Sequence, residues 1–193
     1  SLDRELLLAL REPSDLADPV GPGWFEEAAR DFTALGSMGV LALVTLATIG
    51  YLLVIRRAAS ALLVAVAVGG GTLVSTVLKL FFDRARPDLV PHQMEVYTAS
   101  FPSGHSMLAA VAYLTLGAML MRLQEGWQAK VYVIVIALAT TVLVGASRVY
   151  LGVHWPTDVL AGWSLGAAWA MACWALMLWL QRHGRVEADA DAR

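Results

Sequence analysis

The sequence predicts an all-α fold, an integral membrane helical bundle with five transmembrane helices in this chain. Three observations predict it. Of 193 residues, 58% are hydrophobic and 16% charged, well to the apolar side of an ordinary globular domain. The mean hydropathy is +0.62. Five stretches, 32–55, 58–78, 96–121, 131–147 and 159–181, contain no Lys, Arg, Asp or Glu. A helix crosses a bilayer in roughly 17–25 residues, which these runs supply. A solvent-facing helix would show polar residues every third or fourth position.

Residues 1–36 differ from the rest, and the expected organisation is an extracytoplasmic segment (1–36), a transmembrane core (37–181) and a cytoplasmic tail (182–193). Leu2 to Leu10 reads as a short helix, followed by turn signals from Asp18 to Gly23. Trp24 to Leu35 sets Trp24, Phe25, Ala28, Phe32 and Leu35 near one face, which predicts an amphipathic helix at the membrane interface. Span A covers about 37–55 and is closed by Arg56-Arg57. Span B covers 59–82; its Gly69-Gly70-Gly71 would weaken a soluble helix by roughly 1 kcal/mol each but permits close contact in a membrane. Span C runs 103–123, with Ser103 placed as N-cap. The short link 124–128 makes spans C and D (130–148) antiparallel neighbours. Span E runs 156–180, with Pro156 suited to the first turn.

The loops 83–102 and 149–155 therefore share one side. The opposite side carries Arg56, Arg57, Arg122, Lys130, Arg182 and Arg185, so the positive-inside rule makes it cytoplasmic. The expected location is the inner cell membrane, multi-pass, with the two loops facing the periplasm or exterior. The net charge of −2 carries no information about partners, and no basic cluster suits nucleic acid. The single cysteine, Cys173, excludes an intrachain disulfide. Oligomeric state is not encoded in any pattern.

Three polar islands edge the apolar runs: Lys79 to Pro87, Phe101 to His105, and Ser147 to Asp158. They bring Lys79, Arg86 and Arg148 to one membrane face. Clustered cations repel unless an anion joins them, and Arg and Lys both match phosphate oxygens. Ser103-Gly104 opens a helix, where N–H groups and the dipole favour an anion. His154 and Asp158 are four apart, so the carboxylate can hold one ring nitrogen and leave the other to attack. His105, on the first turn of span C, is placed to protonate a leaving oxygen. Two readings compete. Single charges at helix ends can simply snorkel to water, and two histidines with an aspartate can bind metal. Three nearby cations oppose a metal, and no His-x-x-x-His or Cys pair occurs.

The combination Lys79-x6-Arg86-Pro87, Pro102-Ser103-Gly104-His105 and Ser147-Arg148-x5-His154-x3-Asp158 resembles the signature of the type 2 phosphatidic acid phosphatase superfamily, which also includes vanadium haloperoxidases. The likeness covers about 37–180. It implies that Lys79, Arg86, Ser103, Gly104 and Arg148 bind phosphate, that His105 is the acid, and that His154, oriented by Asp158, is the nucleophile of a phosphohistidine mechanism. It implies no cofactor and no metal. The implied substrates are membrane lipid phosphates: phosphatidic acid, phosphatidylglycerol phosphate or polyprenyl diphosphates. Family members usually have six spans, so a first helix is expected before residue 1. The alternatives are a haloperoxidase, which five spans oppose, and a non-catalytic lipid-phosphate binding or transport protein, which would lack a catalytic histidine.

Overall fold

A computed structural model describes residues 2–88 and 99–184. The expected tail beyond 184 and the middle of the 83–102 loop lie outside the described residues. Among the described residues, seven helices and one small hairpin follow in order: α1 (Leu2–Leu8), β1 (Arg11–Glu12), β2 (Asp15–Pro19), α2 (Gly23–Leu35), α3 (Met38–Val54), α4 (Ala58–Phe82), α5 (Gly104–Arg122), α6 (Trp127–Tyr150) and α7 (Pro156–Arg182).

The helix α5 is the centre of the bundle, packed on by α3, α4, α6 and α7. Its residues Ser106 to Ala112 are buried without interruption, so every face of that stretch meets protein. The outer helices keep large apolar side chains such as Leu43, Leu80 and Tyr132 exposed, as a surface facing lipid tails requires. Among the described residues four helices, α4 to α7, are long and apolar enough to cross a membrane, and α2 with α3, bent by 45°, makes a fifth candidate. The expected count of five thus depends on α3, whose 17 residues are short for a span.

Small residues set the closest approach. A Cβ on Gly162 of α7 would stand 2.8 Å from the Ser103 carbonyl oxygen, and one on Gly166 would collide with Met107 of α5. Those glycines let α7 lie against the α5 backbone, as small-residue interfaces do in membranes. Trp163 and Trp169 are half-buried and donate to the carbonyls of Thr141 (3.0 Å) and Ala67 (2.8 Å). They are packing residues, with each indole N–H satisfied inside the protein.

The N-terminal segment differs from its sequence pattern. The expected helix to Leu10 stops at Leu8, and an antiparallel hairpin follows. Its turn is Pro13-Ser14, and at the start of β2 the Asp15 carboxylate accepts from the Ala17 N–H at 2.9 Å, as Asp does beside turns. The amphipathic α2 appears as expected, but it docks on α6. Thr33 and Ser147 hydroxyls share a hydrogen bond at 2.6 Å, and Tyr113 donates to the Leu35 carbonyl at 2.8 Å. Buried Arg11 donates to the Tyr150 carbonyl at 2.6 Å, and Tyr150 donates to the Val20 carbonyl at 3.0 Å. Residues 2–36 therefore strap the end of the bundle where α4, α6 and the loops after them emerge.

Candidate active site

All eight residues singled out in the sequence lie at that strapped end: Lys79 near the C-terminus of α4, Arg86 in the following loop, Ser103, Gly104 and His105 at the start of α5, Arg148 at the end of α6, and His154 and Asp158 around the start of α7. Ser103 is the N-cap of α5, as expected, its oxygen facing the Ser106 N–H and hydroxyl. Its own N–H donates to the Asp158 carbonyl at 3.0 Å, tying the α5 and α7 starts together. Gly104 leaves room beside Lys79, whose Cε would lie 3.5 Å from an added Cβ.

His154 lies at the centre of a buried hydrogen-bond network. It is 1% exposed, and Asp158 is fully buried. Nε2 stands 3.3 Å from an Arg86 guanidinium nitrogen, and Nδ1 stands 3.3 Å from the Ser100 hydroxyl. A guanidinium only donates, so Nε2 is the acceptor and Nδ1 carries the proton. The direct Nδ1–Asp158 separation is 3.6 Å, longer than a hydrogen bond. Ser100 closes that gap, donating to Asp158 Oδ2 at 2.5 Å. The same carboxylate oxygen accepts from the Trp155 N–H at 3.0 Å. The sequence spacing placed Asp158 correctly near the ring, but the contact passes through a serine.

The electrostatics are those of an anion site. Arg148 is 4% exposed, and its Nε has no hydrogen-bond partner among the described residues, an expensive state for a buried donor. Lys79 donates to the Ala99 carbonyl at 2.7 Å and Arg86 to the Val153 carbonyl at 2.9 Å. Burial and the cations Arg86, Arg148 and Lys79 push the His154 imidazole down to about 4, against the opposing pull of Asp158. Burial also lowers Arg86, with Asp158 acting the other way. His154 is thus neutral, with a lone pair on Nε2. A groove of about 150 Å³ touches Lys79, Gly104 and His105 and continues along Thr72 and Thr76 of α4 toward Met38. Among the described residues, no group of three His, Cys, Asp or Glu side chains is arranged to hold a metal.

Sequence reasoning missed three residues. Ser100 is fully buried between His154 and Asp158, and no spacing rule connects positions 100 and 158. Arg84 was in view inside the first island, but its partners were not. It donates to Asp158 Oδ1 (2.6 Å), Thr157 (2.8 Å) and Asp3 (2.8 Å). Asp3 lies 155 positions before Asp158 in the chain and gave no signal at all.

Buried and half-buried cations around a neutral, carboxylate-backed histidine suit phosphate-ester chemistry, and comparison with known proteins puts the chain in the class of phosphate-ester hydrolases. The sequence profile of the PAP2 superfamily matches residues 58–182. Phosphatidylglycerophosphatase B of Bacillus subtilis is 41% identical over 145 residues, 74% of this chain and 70% of that protein. An undecaprenyl-diphosphatase of Sulfolobus acidocaldarius is 41% identical over 68 residues, 35% of this chain and 29% of that one. The crystal structure of a transmembrane PAP2-type phosphatidylglycerolphosphate phosphatase from Bacillus subtilis superposes with a TM-score of 0.80 at 32% identity, covering 94% of this chain and 87% of the other. The chain belongs to the PAP2 superfamily, as a multi-pass membrane lipid phosphatase.

Proposed function

We propose that the protein hydrolyses the terminal phosphate of a lipid phosphate through a phosphohistidine on His154, with phosphatidylglycerol phosphate as the leading substrate. Phosphatidic acid and polyprenyl diphosphates are the other lipids with the required chemistry. The observation that carries this reading is the two-sided hold on His154, with Ser100 and Asp158 behind Nδ1 and Arg86 in front of Nε2. The preference for phosphatidylglycerol phosphate is supported by the breadth of the match to the Bacillus phosphatase.

In the proposed reaction, Lys79, Arg86, Arg148 and the N–H groups at the start of α5 hold the phosphoryl oxygens and spread their charge. His154 Nε2 attacks phosphorus as the phosphorus–oxygen bond of the leaving alcohol breaks. His105 gives that oxygen its proton. The Nδ1 proton stays on the ring, and the Ser100–Asp158 pair stabilises the positive phosphoimidazole. A water then attacks phosphorus with His105 taking its proton, which frees phosphate and restores His154. The groove beside Lys79 and His105 receives the headgroup, and the tail remains in lipid. By the distribution of Arg and Lys at the two ends, the site faces the periplasm or exterior of the inner membrane.

The test is a panel of the three lipids assayed in vesicles with the parent and His154→Ala, with acid-quench trapping of labelled enzyme. We expect the parent to favour phosphatidylglycerol phosphate and His154→Ala to lose about 10³-fold or more in kcat, with no trapped label. A His154→Ala protein as active as the parent would overturn the nucleophile.

A further inference from the structure

The carboxylate behind His154 is itself held by residues to which the motifs assign no role. Asp158 Oδ2 faces Ser100 and the Trp155 N–H, while Oδ1 accepts from Arg84 at 2.6 Å. A guanidinium placed there competes with the histidine for the same negative charge. Its other nitrogen donates to Asp3 of α1 at 2.8 Å. Asp3 is 8% exposed although it is an aspartate on a seven-residue helix near the start of the chain. Its second set of contacts is with the first turn of α7. Oδ1 accepts from the Thr157 N–H at 3.0 Å and Oδ2 from the Thr157 hydroxyl at 2.6 Å. Burial raises the Asp3 carboxyl, but the bonds from Thr157 and Arg84 outweigh it and hold it below the ordinary carboxylate value. Asp3 is therefore charged.

We propose that Asp3 and Arg84 are positioning residues for the reaction, a strap from the N-terminal segment that fixes the first turn of α7 and limits how strongly Arg84 draws on Asp158. The inference rests on the reading of His154 as nucleophile. Two effects combine. The Pro156 ring leaves α7 without one N–H donor, and Asp3 satisfies the next one, at Thr157, so the turn that carries Asp158 is capped by α1. In addition, Asp3, Arg84 and Asp158 form an alternating row of charges. Removing Asp3 leaves Arg84 balanced by Asp158 alone, which withdraws negative charge from the Ser100–His154 side. Removing Arg84 does the reverse.

The two removals thus have opposite signs at His154. The charged and titratable groups around that ring are Asp158 of α7, Arg84 and Arg86 of the loop, Arg148 of α6, Lys79 of α4 and His105 of α5. Changes confined to Asp3 or Arg84 leave the number and the charge of the other groups unaltered. Loss of the Asp3 charge disfavours imidazolium and moves the acid limb of activity to lower pH. Loss of the Arg84 charge favours imidazolium and moves it to higher pH. Each shift is expected to be about half a pH unit, given charges roughly 10 Å apart at an effective dielectric near 20 with partial screening.

The experiment measures kcat and KM against pH for the full chain in vesicles, with Asp3→Asn, Asp3→Glu, Arg84→Gln and the double variant Asp3→Asn/Arg84→Gln, and His154→Ala alongside. We expect Asp3→Asn and Arg84→Gln each to lower kcat about tenfold with KM within about twofold, since neither residue touches the phosphate. Their acid limbs should move in opposite directions, the double variant should return near the parent limb, and Asp3→Glu should keep the parent limb. Arg84→Gln, in a half-exposed loop position, carries the test if Asp3→Asn does not fold. Limbs that coincide with the parent's, or a rise in KM alone, would overturn the strap while an inactive His154→Ala leaves the nucleophile standing. An active His154→Ala would instead remove the reading beneath it.

Discussion

The two ends of the bundle carry cations in opposite ways. At the strapped end, Arg148 is buried, Lys79 and Arg86 are half-buried, and Arg84 is shared between two carboxylates. At the far end, Arg56, Arg122 and Arg182 are exposed, and Arg122 rests over the Trp174 ring at 5.4 Å. Exposed cations at helix ends cost little because water still solvates them. Buried cations must be offset by an anion, by carbonyls or by carboxylates. Under the proposed function, the difference separates cations that rest in water at helix ends from cations held in place for a substrate phosphate.

The sharpest way to break that contrast is Arg148→Ala. It should lower kcat/KM by roughly 10²- to 10³-fold and raise the inhibition constant of vanadate, which mimics the transferring phosphoryl group. It also tests the pH argument. Burial and the nearby cations push the parent His154 down to about 4, so the neutral form, the proposed nucleophile, persists down to that pH. Removing a neighbouring cation makes protonation easier, so the acid limb should move upward toward the ordinary histidine value near 6.5. Substrate ionisation is common to both proteins and cancels in the comparison. A limb that stays in place would separate Arg148 from the histidine.

Ser100→Ala should have a smaller effect, about tenfold in kcat with KM nearly unchanged, because it removes the bridge behind Nδ1 and leaves every proposed phosphate ligand intact. A parent-like kcat would mean that Asp158 reaches the ring without it. The smallest effect belongs to the far end. Arg122→Ala should leave kcat and KM within about twofold of the parent in vesicle assays. A loss comparable to that of Arg148→Ala would erase the distinction between the two ends.

The contrast also explains what was legible in the sequence. The helices α4 to α7 were readable because their charge-free runs are long enough to decide by themselves. Ser103, Gly104 and His105 were readable because a proline, a cap residue and a glycine punctuate the start of α5 within four positions. The hairpin at 11–19 was not, because two short strands carry no periodicity. Nor was the docking of α2 on α6, since an amphipathic pattern states that one face seeks apolar cover and not what supplies it. Trp24 and Phe32 remain exposed, while Ala29, Thr33 and the edge of the Phe25 ring against Tyr150 make the inward contact.

The sequence by itself determined that this chain is a membrane bundle and that His105, Arg148, His154 and Asp158 gather with Lys79 and Arg86 at one face. Helical periodicity, bilayer thickness and charge spacing are local rules, and those residues sit at span ends where such rules operate. Only the tertiary structure decided that Ser100 stands between His154 and Asp158, and that Asp3 and Arg84 hold the carboxylate from its other side. Those contacts join positions 58, 74 and 81 residues apart. Distances of that kind are fixed by how α1, the loop after α4 and the start of α7 pack, and no local pattern carries them.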